Sequence, residues 1–334
     1  MNEMTAPAST KLAIGVTSEW GDLKECVYGW PEEFIIPKFL ADSKARAYGT
    51  FERFWAENQG RDVRDADPDY HAAVTAQVDG AVAILRSLGI IVHQPRRHSA
   101  ANLKFPRGEH HGSMTPWMRD PFVTIGNNVI ELAPRSLFHR RQRFPIRHIL
   151  MSTMDRGARY FAQPDPGADD YVDAEGWGYL EGGDIFVLGR KILIGHSGNC
   201  SNAEGGRWLQ HALGPDYDVE MVPLDKLFPH LDCVLMTPRE GLAVICEEAF
   251  THGLPAHIRD WDRIVVSKEA AKRHMACNNL VINERTAMLP SEEPLDFVAN
   301  ELKRRGIDVI RTPYEALSRV GGSFRCAHQP LVRT

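Results

Sequence analysis

Apolar residues along this chain fall into paired short runs, and each pair brackets a turn. Residues 122–132 read FVTIGNNVIEL, two apolar runs around Gly126-Asn127-Asn128. That is a hairpin pattern. It recurs at 184–195 around Gly189-Arg190-Lys191, at 233–245 around Pro238-Arg239-Glu240-Gly241, and at 279–289 around Asn283-Glu284-Arg285.

The spacing after these hairpins predicts a helix and then a short strand. A helix is expected over 203–213 and a strand over 217–223. The pair repeats at 291–305 and 307–312, with Gly306 as the left-handed cap between them. A further helix is expected over 72–88, capped by Gly89 and followed by a strand at 90–94. Its hairpin is split between 25–30 and 324–332, far apart in the chain. Five such modules, the first closed by distant segments, predict a five-bladed α/β-propeller with no long open sheet edge. The expected organisation is a polar tail over 1–16 and a single catalytic domain over 17–334.

Composition narrows the class. The 334 residues are 43% apolar and 25% charged, ample for a sizeable core. The net charge is -5, with none of the basic stripes that bind nucleic acid. No apolar run approaches the ~20 residues of a membrane span. The segment MNEMTAPASTKLAIG lacks the apolar core of a signal peptide, so a cytoplasmic protein is expected. The six cysteines show no C-x-x-C pair, which argues against a disulfide scaffold or a zinc ribbon. Cys233 and Cys246 read as buried packing residues.

The candidate chemistry sits just before each hairpin. Met118-Arg119-Asp120 precedes the first, Glu181-Gly182-Gly183-Asp184 leads into the second, and His230-Leu231-Asp232 leads into the third. Gly321-Gly322-Ser323-Phe324-Arg325-Cys326 leads into the C-terminal segment. In a ring of equivalent modules, equivalent positions converge on the axis. Carboxylates around a pocket suit a planar cation with two faces of N–H donors, and guanidinium is the obvious ligand. Cys326 is the candidate nucleophile, but a thiol needs a cationic neighbour to ionise near neutral pH. The substrate's guanidinium or Arg325 can serve. His230 suits proton transfer, and Asp232 lies on the same face of an extended segment. Other readings of single residues remain open: the glycines as turn formers with positive φ, His-x-Asp as a metal pair, and His328 as a rival acid/base.

These motifs also carry a resemblance. Ser18-Glu19-Trp20-Gly21-Asp22-Leu23-Lys24-Glu25, Met118-Arg119-Asp120, Gly126-Asn127 to Ala133-Pro134, His230-Leu231-Asp232 and the glycine turn before Cys326 are its residues. Through them the sequence resembles the guanidino-group modifying superfamily, which includes arginine:glycine and inosamine-phosphate amidinotransferases and arginine deiminases. The resemblance implies the five-bladed propeller, with no metal and no organic cofactor. It implies that Cys326 attacks the guanidinium carbon and that His230 protonates the leaving amine. Asp120 and Glu181 would clamp the guanidinium, with Asp232 assisting. Asp184, Arg119, Arg325, Ser323 and Asn279 are expected to contact substrate. The partners would be a small guanidino donor and an amine acceptor, and the enzyme a homodimer. Transfer to an amine is the first expectation; arginine deiminase-like hydrolysis is the alternative. The Glu181-Gly-Gly-Asp184 turn looks like the deiminase branch. Ser323 and Arg325 stand where the usual pattern has glycine and histidine.

Overall fold

Each paired apolar run folds into an antiparallel hairpin, and each hairpin gains a third, parallel strand. In the computed structural model, which describes residues 12–37, 52–105, 112–166 and 176–334, Phe122–Ile125 pairs with Asn128–Glu131 and then Arg159–Ala162. Ile185–Leu188, Lys191–His196 and Asp218–Pro223 form the next sheet. Leu235–Arg239, Leu242–Ile245 and Asp262–Val265 form another, and Leu280–Asn283, Thr286–Pro290 and Asp308–Thr312 a fourth. In the remaining three-stranded sheet, Leu23–Tyr28 pairs antiparallel with His328–Arg333 and parallel with Ile91–His93. Among the described residues these are separate sheets, and none closes on itself. The adjacent histidines His110 and His111 lie outside the described residues.

The connecting helices form where the caps are. Ala203–Leu213 starts at Asn202, whose side chain accepts the Gly205 N–H at 3.0 Å. Pro68–Ser87 starts at Asp67, which accepts the Tyr70 N–H at 2.9 Å, with Pro68 in the first helical position. Gly89 and Gly306 take φ of +79° and +77°, the left-handed conformation expected of them. The helix expected over 291–305 is shorter, Asp296–Arg304, because Pro294 belongs to a preceding 3-10 turn. The pairing of Phe34–Ile35 with Ser113–Met114 has no signal in the apolar pattern.

Burial is graded across the sheets. One edge of each is buried: Phe122–Ile125, Ile185–Leu188 and His328–Arg333 are buried at every residue. The opposite edges, such as Arg159–Ala162 and Asp262–Val265, are largely exposed or half-buried. Strands buried on both faces read as continuous apolar runs, which is why the hairpins were legible.

The segment from residue 12 is not a free polar tail. Ile14 and Val16 are buried, and isolated bridges join Gly15 to Val332, Val16 to Gly126 and Ser18 to Leu188. A few residues thereby stitch three sheets together. Glu25 adds a second tie: Arg156 donates to its two oxygens at 2.8 and 2.7 Å, and His93 Nε2 lies 2.8 Å away. Burial raises the Glu25 carboxyl, but His93 and Arg156 more than reverse this and bring it down to about 2. A depressed carboxyl stabilises the fold above its unfolded value, and that contribution is lost as pH falls through about 2. Glu25→Gln is therefore expected to cost on the order of 2 kcal/mol at neutral pH, allowing for solvent screening. The gap to wild type should close towards pH 2 in urea titrations run across the acid range.

Candidate active site

The reactive residues sit on short turns that feed the buried edge strands. Cys326 lies in a single helical turn, Phe324–Ala327, directly before His328–Arg333. Ser323, the residue in capping position just before the turn, makes no side-chain cap. Asn278 supplies the cap from another module: its Oδ1 accepts the N–H of Ser323 at 3.0 Å and that of Cys326 at 3.1 Å. Its carbonyl accepts the Arg325 N–H at 3.3 Å, and its Nδ2 donates to the Asp232 carbonyl at 3.2 Å. Asn278 thus locks the turn of Cys326 to the turn of Asp232. Sequence reasoning missed it, because a lone asparagine carries no signal until its partners are known.

Glu181 opens the 3-10 turn Gly182–Asp184, and His230 opens the 3-10 turn Leu231–Cys233. The backbone is extended at His230 but turns at Asp232, so the two do not share one extended segment as expected. The glycines of the first turn have negative φ; what they provide is room. A Cβ on Gly183 would lie 2.7 Å from His230 Nδ1, and one on Gly182 would collide with the Arg119 carbonyl. The Glu-Gly-Gly-Asp spelling follows from this close packing.

Around Cys326 the groups converge. Asp232 Oδ2 lies 3.6 Å from Cys326 Sγ and 3.1 Å from Arg325 Nη1. His230 Nε2 lies 2.7 Å from Glu181 Oε2 and 3.8 Å from Asp120 Oδ1. Glu181 Oε1 accepts the Arg135 N–H at 3.0 Å, and Asp120 Oδ1 accepts the Gly183 N–H at 2.9 Å. All five residues are buried. Burial, then Asp232 and Asp120, pushes the Cys326 thiol well above the ordinary range. Burial pulls the His230 imidazole down, and Cys200, Asp120 and Glu181 more than reverse it, holding it well above the usual histidine range.

Of the residues expected to contact substrate, Arg325, Arg119 and Asp184 are bonded within the protein. Arg325 is 3% exposed and donates to Glu19 Oε2 at 3.0 Å, the Ile185 carbonyl at 3.0 Å and Asp232. Its guanidinium also lies 3.8 Å from the Phe186 ring centroid. Arg119 donates to the carbonyls of Gly182 at 3.1 Å and Ile185 at 3.3 Å. Both guanidiniums are spent on the protein's own acceptors. Asp184 accepts the Leu231 N–H at 3.0 Å on one oxygen and the Ser201 N–H at 3.2 Å on the other. Burial pushes its carboxyl up to about 7. Ser323 Oγ and Asn279 Oδ1 are buried without a protein partner. Asn279 lines a small cavity with Glu19, Arg325, His328 and Arg333. His328 bonds the Phe324 carbonyl through Nδ1 at 2.8 Å. Burial, then Arg119 and Arg333, holds it far below the usual histidine range, which suits a neutral structural ring.

Two residues that sequence spacing did not reveal join this cluster. Cys200 brings a second thiol to Glu181 and His230. Glu19, from the stitching segment, accepts the Val187 N–H at 3.1 Å besides its bonds to the arginines. Burial raises its carboxyl, but Arg325 and Arg119 hold it below the usual range.

The turns gather a thiol, an imidazole and three carboxylates, a set suited to cysteine chemistry on a cationic substrate. The comparisons with known proteins bear on the fold and the relatives. No family model matches the chain. Its curated relatives include the mitochondrial glycine amidinotransferase of Xenopus tropicalis, 22% identical over 92% of this chain and 80% of that protein. The L-arginine:L-lysine amidinotransferase of Pseudomonas savastanoi pv. phaseolicola is 24% identical over 93% and 91%. In structure, the chain matches the inosamine-phosphate amidinotransferase of Streptomyces griseus with a TM-score of 0.77 at 20% identity, covering 97% and 98%. That likeness establishes a shared α/β fold. Among the described residues no helix is long and apolar enough to cross a membrane.

Proposed function

We propose that the chain is an amidinotransferase that moves the amidino group of L-arginine, or a related guanidino donor, to an amine. One catalytic domain over 17–334, a five-bladed α/β-propeller with the buried strand edges around its axis, would carry the site. The observation that carries the reading is that Cys326 meets Asp232 while His230, Glu181 and Asp120 meet one another, all buried, with Gly183 bonded both to Asp120 and to Arg325 beside Cys326. The amidinotransferase relatives, which cover nearly the whole chain, support it.

The chemistry follows from the charges. An entering guanidinium offsets the carboxylates that help hold the Cys326 thiol up, so the thiol proton passes to solvent as the cation arrives. The thiolate attacks the guanidinium carbon and forms a C–S bond. The C–N bond to the leaving amine breaks, and His230 gives that nitrogen its proton. Glu181 and Asp120 hold the remaining amidino nitrogens. In the second half His230 takes a proton from the acceptor amine, whose nitrogen attacks the amidino carbon. The C–S bond breaks and the thiolate returns.

Water in place of the amine would give arginine deiminase-like hydrolysis through the same adduct. Incubation with arginine and a panel of amines separates the two. Ornithine released in step with a guanidino product is expected. Citrulline without ornithine would establish the hydrolase instead.

A further inference from the structure

We propose that Glu181, Cys200 and His230 form an inhibitory site for a divalent metal ion of the zinc class. One carboxylate oxygen, one sulfur and one imidazole nitrogen lie within 4.8 Å of one another, and all three residues are buried. Oxygen, thiolate and imidazole ligands are the set that zinc prefers, with a fourth position left for water or a further carboxylate. Asp120 Oδ1, 3.8 Å from His230 Nε2, is placed to approach that position.

The ligands are held together by their backbones. The N–H of Leu231, next to His230, and that of Ser201, next to Cys200, donate to the two oxygens of Asp184. The Glu181 N–H donates to Ser201 Oγ at 3.0 Å. Three separate segments are thus tied within one residue of each ligand, the kind of support that preorganises a metal site. The Glu181–His230 contact of 2.7 Å would open on binding. Tetrahedral zinc sets such ligand atoms about 3.3 Å apart, a movement of roughly half an ångström. Binding takes neutral imidazole and thiolate, so any proton on either ligand atom leaves as the metal enters. His230 is then unable to move protons. This inhibitory consequence rests on the proton-transfer role proposed for His230; the binding itself does not. Nor does the site use Cys326, which leaves the nucleophile's sulfur outside the ligand set.

Cobalt(II) reports the ligands directly, through the absorption band of a thiolate–cobalt bond. Wild type and Cys326→Ser should both show the band at one metal per chain. Cys200→Ser and Cys200→Ala should lose it and bind zinc more than about ten-fold more weakly, as measured by chelator competition. Zinc should inhibit wild type in the same concentration range, with activity restored by a chelator. A wild type without a thiolate–cobalt band overturns the site, as does a band that depends on Cys326 rather than Cys200. A Cys200-dependent band with undiminished turnover upholds the site and overturns the inhibition, placing the error in the role given to His230.

Discussion

Replacing Cys326 by serine is expected to abolish turnover, by at least about 10⁴-fold in kcat, and to leave a folded protein. Serine is slightly smaller but keeps the shape and the N–H that Asn278 accepts, so the turn is preserved. What is lost is the thiolate. Intact mass after mixing wild type with arginine should show one amidino group added, and peptide mapping should place it on Cys326. The adduct should persist in Cys277→Ser, because Cys277 is buried in a separate apolar core and burial pushes its thiol well above the ordinary range. Cys326 has the same elevated resting thiol, which sharpens the expectation. General alkylating reagents should react slowly with Cys326 at neutral pH, whereas a guanidinium-bearing electrophile, which brings its own positive charge, should react fast. An adduct that survives Cys326→Ser would overturn the assignment.

Arg325→Met is expected to destabilise the protein by about 3–5 kcal/mol, the range for breaking a buried ion pair by removing one partner. Arg325 bridges Glu19 and Asp232, bonding them at 3.0 and 3.1 Å. Methionine fills much of the space against Phe186 but leaves both carboxylates without their shared cation. The loss should appear as a lower denaturation midpoint with or without substrate, together with weakened activity through Asp232. Glu19→Gln should cost clearly less in the Arg325→Met background than alone, the non-additivity that coupled charges show. A fully stable variant that lost only affinity for substrate would instead support the substrate-contact role expected from sequence.

Cys326 and Arg325 stand on either side of what the chain disclosed before folding. Cys326, His230, Glu181, Asp120 and Asp232 were legible because each stands just before a segment that the repeat marks as a strand, mostly apolar except after Cys326. The turns that carry them then brought them together. Asn278, Cys200 and Glu19 were not legible, because each acts through partners in other modules. Asn278 becomes a cap only when residues 323 and 326 arrive beside it. Arg325 was visible as a departure from the resembled pattern, but its role depends on which acids reach it. Two carboxylates, from residues 19 and 232, take it up. The glycines at 182 and 183 were visible as well, for a reason that proved steric rather than conformational.

The pairing of Leu23–Tyr28 with His328–Arg333 has a consequence for how the protein is made. The contact closes a loop of roughly 300 residues, and non-local closure of that kind is slow compared with forming a local hairpin. During synthesis the middle hairpins can form in order as they emerge, while Leu23–Tyr28 waits with one edge unpaired. A ribosome-bound chain ending before residue 326 has its carboxylates and imidazole but not the Cys326 thiol. The thiol arrives with the strand that seals the first sheet, so activity and final closure of the fold should appear together.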